Sequence, residues 1–352
     1  MKTEHILVMR FSAIGDVAMA VPVVASLAKQ YPQVRITVLS RPFARPLFEH
    51  LAPNVGFMAA DMKSEYHGVR GLNSLYRRLT AKQFTAVADL HNVLRSEFLR
   101  MRFNLGRYKV AHINKHRKGK RMLVRAKNKV MRQQPTSIQN YMDVLEKLGY
   151  PVTLDFHGLY EHEGPDLTVL PDDMRADKGG APWIGIAPFA AHAGKVYPQD
   201  LMEQVIAMLC ERFPDGRLLF FGGGNDEMAA FDAWEAKYAQ CTNASKRLDG
   251  FQQELALMSR LDVMLSMDSG NMHLATLTGT PVVSIWGATH PFAGFLGYGM
   301  TMDDVIQVND LDCRPCSVFG DKPCRRGDYA CLRSIAPQQV MKKIVERVEK
   351  RE

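Results

Sequence analysis

Apolar and polar positions alternate along this chain between two kinds of run. Short apolar stretches of strand length, residues 5–11, 34–40 and 85–90, lead into polar or glycine turns, and segments such as 17–30 carry apolar residues at helical spacing. Strands alternating with helices imply βαβ units and a parallel sheet, because a parallel connection needs a crossover long enough to be helical. After a helix predicted over 137–148, periodicity fades between 161 and 180, where Gly, Pro and charge accumulate as in a linker. A second series follows: strand 183–187, helix 198–212, strand 217–221, a turn at Gly222-Gly223-Gly224, helices 226–239 and 252–260, and strands 263–266 and 281–286. An amphipathic helix over 337–349 closes it. Two βα series of similar size, in 352 residues, exceed one ordinary core and predict two α/β, Rossmann-like domains facing one another across a cleft.

Composition adds that 46% hydrophobic and 23% charged residues fit a soluble globular protein. The first apolar run stops at Arg10, too short for a signal peptide. The longest run without Asp, Glu, Lys or Arg, 269–302, is interrupted by six Gly and two Pro and reads as α/β core rather than a membrane span, so a cytoplasmic location is expected. The net charge of +8 is uneven: residues 107–132 hold eleven Lys or Arg and no acid, and the remainder of the chain is slightly acidic. Such a block is either a solvated face or a surface for an anion: nucleic acid, an anionic membrane or a phosphorylated substrate.

Candidate chemistry concentrates at turns. In Met267-Asp268-Ser269-Gly270-Asn271-Met272-His273, an apolar run ends in a carboxylate and small residues and then opens a helix. The first N–H groups of a helix have no partner within it, and with the dipole behind them they suit a phosphate. Lys195, in a Gly-containing loop after strand 183–187, can reach a phosphate as a point charge. Glu227, after three glycines, can accept hydrogen bonds from a ribose, while His273 is either a ligand contact or a core histidine. Asp16 ends the first βα loop, where ligands bind in open sheets, although a helix cap would also explain it. That loop lacks G-x-G-x-x-G, which argues against an ordinary dinucleotide site. Cys313, Cys316, Cys324 and Cys331 form C-x2-C-x7-C-x6-C; a structural zinc site, disulfides, or free thiols packed in a loop are the readings open.

Together the stretches Arg10-Phe11-Ser12-Ala13-Ile14-Gly15-Asp16-Val17, Asp268-Ser269-Gly270-Asn271-Met272-His273-Leu274-Ala275, Gly279-Thr280-Pro281, Trp286-Gly287-Ala288-Thr289 and the cysteine loop ending Cys331-Leu332-Arg333-Ser334-Ile335 resemble glycosyltransferase family 9, the ADP-heptose:lipopolysaccharide heptosyltransferases. The resemblance implies a GT-B fold with an N-terminal acceptor domain (1–165), a C-terminal nucleotide-sugar domain (166–335) and a last helix (336–352) crossing back to the first domain. It implies inverting transfer, independent of metal and cofactor, with Asp16 as general base toward the acceptor hydroxyl. Lys195, Glu227, Asp268, Ser269, Gly270, Met272 and His273 would bind the donor; Ser12, Ala13, Gly15, His91, Arg95 and Lys120 would bind the acceptor. The partners implied are a nucleotide sugar and an anionic, lipid-linked saccharide met at the inner face of the cytoplasmic membrane, with no nucleic acid. Two departures leave the substrate open: Ala190-Ala191-His192 stands where relatives carry more Ser or Thr, and Trp286 stands where other residues are frequent. The competing readings are a nucleotide-sugar epimerase of the same fold and a basic nucleic-acid-binding module; the latter lacks interleaved aromatics, Tyr108 being the only one in the basic block.

Overall fold

The computed structural model describes residues 4–161 and 163–350. The chain divides into two compact units, Met1–Lys115 with Pro135–Leu159, and His116–Gln134 with Tyr160–Glu352.

The first unit is built on strands β1 (His5–Met9), β2 (Arg35–Ser40), β3 (Val55–Ala59), β4 (Ala86–Asp89) and β5 (Lys109–His112), all parallel and ordered β3-β2-β1-β4-β5. Every residue of β1 is buried, as a central parallel strand covered on both faces requires. Strand order reverses beside β1, so the crevice for a ligand lies where Met9 and Asp89 end their strands side by side. The helix predicted over 17–30 is two, α1 (Ile14–Ala18) and α2 (Val21–Gln30), because Pro22 has no N–H with which to continue α1. Helices α3 (Gly68–Thr80) and α4 (Leu94–Leu105) cover one face of the sheet: Leu75, Leu79, Leu99 and Phe103 cluster with Leu7, Met9 and Val87.

Helix α5 (Arg117–Leu123) falls next in the chain but belongs to the second unit, and the first resumes with α6 (Ser137–Lys147), whose N-cap Thr136 accepts from the Gln139 amide at 3.1 Å. This corrects the placement of most of the basic block, residues 116–132 with Lys120 included, on the first domain, while Arg107, Lys109 and Lys115 stay with the first unit. The Lys120 ammonium lies 4.0 Å from the Phe295 ring centroid, the Lys129 Nζ donates to the carbonyls of Asp312 (2.8 Å) and Arg314 (2.7 Å), and the Gln134 amide donates to the Phe292 carbonyl. These contacts tie the segment to the second unit.

The second sheet is also parallel: β6 (Trp183–Ala187), β7 (Arg217–Phe220), β8 (Cys241–Thr242), β9 (Val263–Met267), β10 (Val282–Trp286) and β11 (Val305–Gln307), ordered β11-β10-β9-β6-β7-β8. Its order reverses between β6 and β9, where Ala187 pairs with Ser266. Its helices are α7 (Asp172–Arg175), α8 (Gln199–Arg212), α9 (Asn225–Lys237), α10 (Ala244–Arg247), α11 (Gly250–Met258), α12 (Gly270–Leu277), α13 (Ala330–Arg333) and α14 (Pro337–Glu349). The stretch read as linker is part of this unit: the Lys178 ammonium pairs with the Asp262 carboxylate, which also accepts from the Trp183 amide at 2.7 Å, and the unit boundary lies at 159/160.

The last helix, expected to cross back to the first domain, packs its apolar stripe within the second unit. Val340, Ile344 and Val348 of α14 enter one apolar cluster with Val205 and Leu209 of α8, and Arg212 pairs with Glu349 at 2.9 Å. Its apolar stripe is thus buried within the second unit. No described helix is long and apolar enough to cross a membrane.

Candidate active site

In the first unit the chain leaves β1 at Arg10 and turns through Ser12 and Ala13 into α1, whose third residue is Asp16. Arg10 is 7% exposed; its guanidinium donates to the Leu90 carbonyl at 2.6 Å, forms an ion pair with the Asp16 carboxylate, and lies 5.9 Å from the Tyr141 ring centroid. The Ala13 amide reaches the same carboxylate oxygen at 3.4 Å, and the buried Tyr141 hydroxyl donates to the Asp16 carbonyl at 3.0 Å. Asp16 therefore has a fixed carboxylate at the rim of the crevice, with a third of its side chain open to solvent.

The turn after β4 presents the other residues. Asp89 is fully buried and accepts from the amides of His91 (2.9 Å) and Asn92 (2.8 Å), while Arg100 donates to its second oxygen at 3.0 Å. His91 is thereby held with Nε2 3.4 Å from the Ser12 hydroxyl. Burial, then the charges of Arg10 and Lys115, lower the His91 pKa to about 3, so its imidazole is neutral near pH 7. A cavity of about 340 Å³ is lined by Ser12, Arg41, Lys63, His91, Leu94 and Arg95, among others, with no acid in its wall. The structure thus gathers five of the first-unit residues, Ser12, Ala13, Gly15, Asp16 and His91, at one strand edge, with Arg95 beside them on α4. Lys120 lies in the other unit.

In the second unit the loop after β6 carries Lys195 and the loop after β9 carries Asp268, so the switch point of this sheet brings them together. The Lys195 Nζ is 3.0 Å from the Asp268 carboxylate and donates to the Asp268 carbonyl at 3.1 Å; Thr289 donates to that carboxylate at 2.8 Å. An ammonium has three N–H bonds, and these contacts use two. Ser269 is the N-cap of α12 and Gly270 its first residue, so the amides of Gly270, Asn271 and Met272 have no partner within the helix. The Met272 side chain is fully buried, which leaves its amide to offer, and His273, one residue on in the same helix, is 7% exposed. Glu227, in the first turn of α9, accepts from the Gly223 amide at 2.7 Å at the same sheet edge. A Cβ on Gly222 would stand 2.3 Å from that carboxylate, which explains one glycine of the tract. Trp286 is fully buried, its indole N–H donating to the Ser284 hydroxyl at 2.9 Å.

The cysteine loop supports this half-site. Cys313, Cys316, Cys324 and Cys331 line one cavity of about 10 Å³ as free thiols; burial raises the Cys331 pKa to about 11. Among the described residues, no three His, Cys, Asp or Glu side chains are arranged to hold a metal ion. Between the first two cysteines, the buried Arg314 donates to the carbonyls of Gly287 (2.7 Å), Thr289 (3.0 Å) and Trp286 (3.3 Å). Gly320, at φ +78°, lies against the Lys195 stem. The loop therefore backs both Thr289 and Lys195. Arg10 and Thr289 stand in the quoted motifs without a role there, and Asp89, Arg100 and Arg314 are not named from sequence; of these three only Asp89 leaves a local signal, an Asx turn in Asp-Leu-His-Asn. One Asp-x-Asp triplet, Asp310-Leu311-Asp312, follows β11 with both carboxylates exposed.

Two parallel sheets, each with its polar groups at the carboxyl edge of a switch point, define an α/β architecture of the GT-B kind. The profile of "Glycosyltransferase family 9 (heptosyltransferase)" matches residues 72–323, and the chain belongs to that family: it is a glycosyltransferase. It is 25% identical over 298 residues to the lipopolysaccharide core heptosyltransferase OpsX of Haemophilus influenzae, covering 82% of this chain and 80% of the relative. Lipooligosaccharide heptosyltransferase 2 of the same organism is 24% identical, with 98% and 100% covered. Among solved structures, the Escherichia coli ADP-heptose lps heptosyltransferase II superposes with a TM-score of 0.68 at 19% identity, covering 99% of each chain.

Proposed function

We propose that this glycosyltransferase moves a heptose, with inversion and without a metal ion, from ADP-heptose to the inner core of a lipopolysaccharide or lipooligosaccharide. The observation that carries it is the Lys195–Asp268 pair at the N-terminus of α12, at the switch point of the second sheet. A diphosphate there meets one ammonium N–H and a row of open amides, and Glu227 at the same edge suits a ribose hydroxyl. In the step itself, the Asp16 carboxylate takes the proton from the acceptor hydroxyl as that oxygen attacks the anomeric carbon. The bond to the diphosphate breaks on the opposite face, and the charge developing on the leaving oxygen is met by Lys195 and the α12 amides. The relatives' names support the sugar and the acceptor class, and the cationic Arg41, Lys63 and Arg95 around the first-unit cavity suit an anionic saccharide.

The test is a ligand series followed by an assay. ADP should raise the melting temperature more than UDP or GDP at equal concentration, since only a ligand bound to the native state stabilises it. Transfer from ADP-heptose to a core lacking that heptose should persist in EDTA. Strict dependence on added magnesium would remove the metal-free step, and conversion of the nucleotide sugar with no acceptor present would move the reading to an epimerase.

A further inference from the structure

Helix α4 carries an apolar stripe on the side away from the core. Its inner face is Ser96, Leu99 and Phe103, all buried against the first sheet. On the opposite side, at spacings of four, three and four, stand Leu94, Phe98, Met101 and Leu105. At 100° per residue these four fall within about 60° of one another, directly opposite Phe103. Leu94 is 85% exposed, Met101 50% and Leu105 74%, while Phe98 between them is half-buried and packs in part against the first-unit core. A surface helix normally turns its polar side to water. Scattered exposed leucines need no explanation, but an aligned row does.

The surroundings are cationic. Arg95 and Arg102 flank one side of the stripe, and Arg107 follows its end. Among the described residues none of the three pairs with a carboxylate, Arg102 lying over the Tyr76 ring instead. The other flank holds Glu97, which is paired with Arg100. Leu94 and Arg95 also line the 340 Å³ cavity beside Ser12 and His91, so the stripe begins at the wall of the candidate acceptor site.

We infer that the outer face of α4 docks the enzyme on an anionic lipid bilayer, Leu94, Met101 and Leu105 entering the boundary between headgroups and chains while Arg95, Arg102 and Arg107 meet lipid phosphates. An interfacial helix of this kind combines an apolar face with basic flanks. A second copy of the chain fits less well, because a two-fold contact on this face would bring arginines against arginines. The inference rests on the reading of the acceptor as lipid-linked: its sugars would enter the cavity while its acyl chains stayed in the membrane.

The test uses the full chain and the double variant Met101→Ser/Leu105→Ser, neither residue lining the cavity. Exposed substitutions of this kind cost little stability, so its melting temperature should match the parent. The parent should cosediment with vesicles of phosphatidylglycerol and phosphatidylcholine, release at high salt, and bind pure phosphatidylcholine weakly. The double variant should bind the anionic vesicles at least about tenfold more weakly, since two apolar side chains no longer enter the bilayer. Its transfer to a deacylated, water-soluble acceptor should be unchanged, and transfer to acceptor embedded in vesicles should fall about as much as binding does. Equal vesicle binding by parent and variant overturns the inference, as does equal binding of parent to neutral and anionic vesicles. So does a parent that is dimeric, ignores vesicles and becomes monomeric on substitution. If neither protein transfers to any acceptor, the proposed reaction fails, while the vesicle result still decides the docking face.

Discussion

At the scale of single residues, chemistry is concentrated in side chains that others hold in place. Asp16 is oriented by Arg10 and the Ala13 amide and remains open at the crevice. Asp16→Ala should lower transfer by about 10²-fold or more, the usual contribution of a positioned base, while ADP still raises the melting temperature of the variant as it does the parent's. Loss of both signals together would mean that the variant had lost its fold rather than its base. His91 provides a test by pH. Its folded-state pKa is about 3 against an ordinary 6.5, so between those values the unfolded chain binds the extra proton and acidification favours unfolding. The stability due to neutral His91 is complete above pH 6.5 and is lost as pH falls toward 3, by up to about 4 kcal/mol. Urea midpoints compared at pH 7 and pH 4.5 should therefore fall less for His91→Gln than for the parent, and parallel losses would refute this account.

Elements decide which of these residues meet. Each sheet reverses its strand order once, and each reversal gathers one set of polar groups: Arg10, Ser12, Asp16 and His91 beside β1 and β4, Lys195 and Asp268 beside β6 and β9. The cysteine loop then braces the second set through Arg314 and Gly320. A Cβ on Gly320 would sit 2.7 Å from the Lys195 Cγ, at a φ of +78° that suits only glycine. Gly320→Ala should weaken ADP binding by about tenfold through displacement of the lysine, and should cost about 1 kcal/mol or more of stability from backbone strain. Calorimetric titration with ADP checks the first effect, and an unchanged dissociation constant would separate the loop from the donor site. The strands the sequence pattern left out, β3, β5, β8 and β11, are short and lie at or next to sheet edges. Two to five residues carry too little periodicity to announce a strand, and their pairing comes from the neighbour already in place.

At the scale of the molecule, the chain is not partitioned as its order suggests. Residues 116–134 leave the first unit's sequence to join the second, and α14 stays with the second through Val340, Ile344 and Val348. Truncation after Ala336 should therefore unfold or loosen the second unit. Three buried aliphatic side chains amount to about 5 kcal/mol, a large share of the stability of a domain. Limited proteolysis should show early cleavage within residues 160–336 and ADP should no longer protect; a truncated chain that melts like the parent would contradict this packing.

The amino-acid order alone determined the two α/β series, the helix N-terminus after Asp268 and the positions of Asp16 and Lys195 at βα turns, because hydrophobic period and turn chemistry are local properties. It could not determine which turns share a switch point, that Thr289 and Arg314 stand behind Asp268 and Lys195, or that the outer side of α4 is apolar against water. Nor could it assign the basic block and the last helix to a unit. Those follow from strand order and from which apolar face finds a partner, and a partner more than a hundred residues away leaves no mark on local spacing.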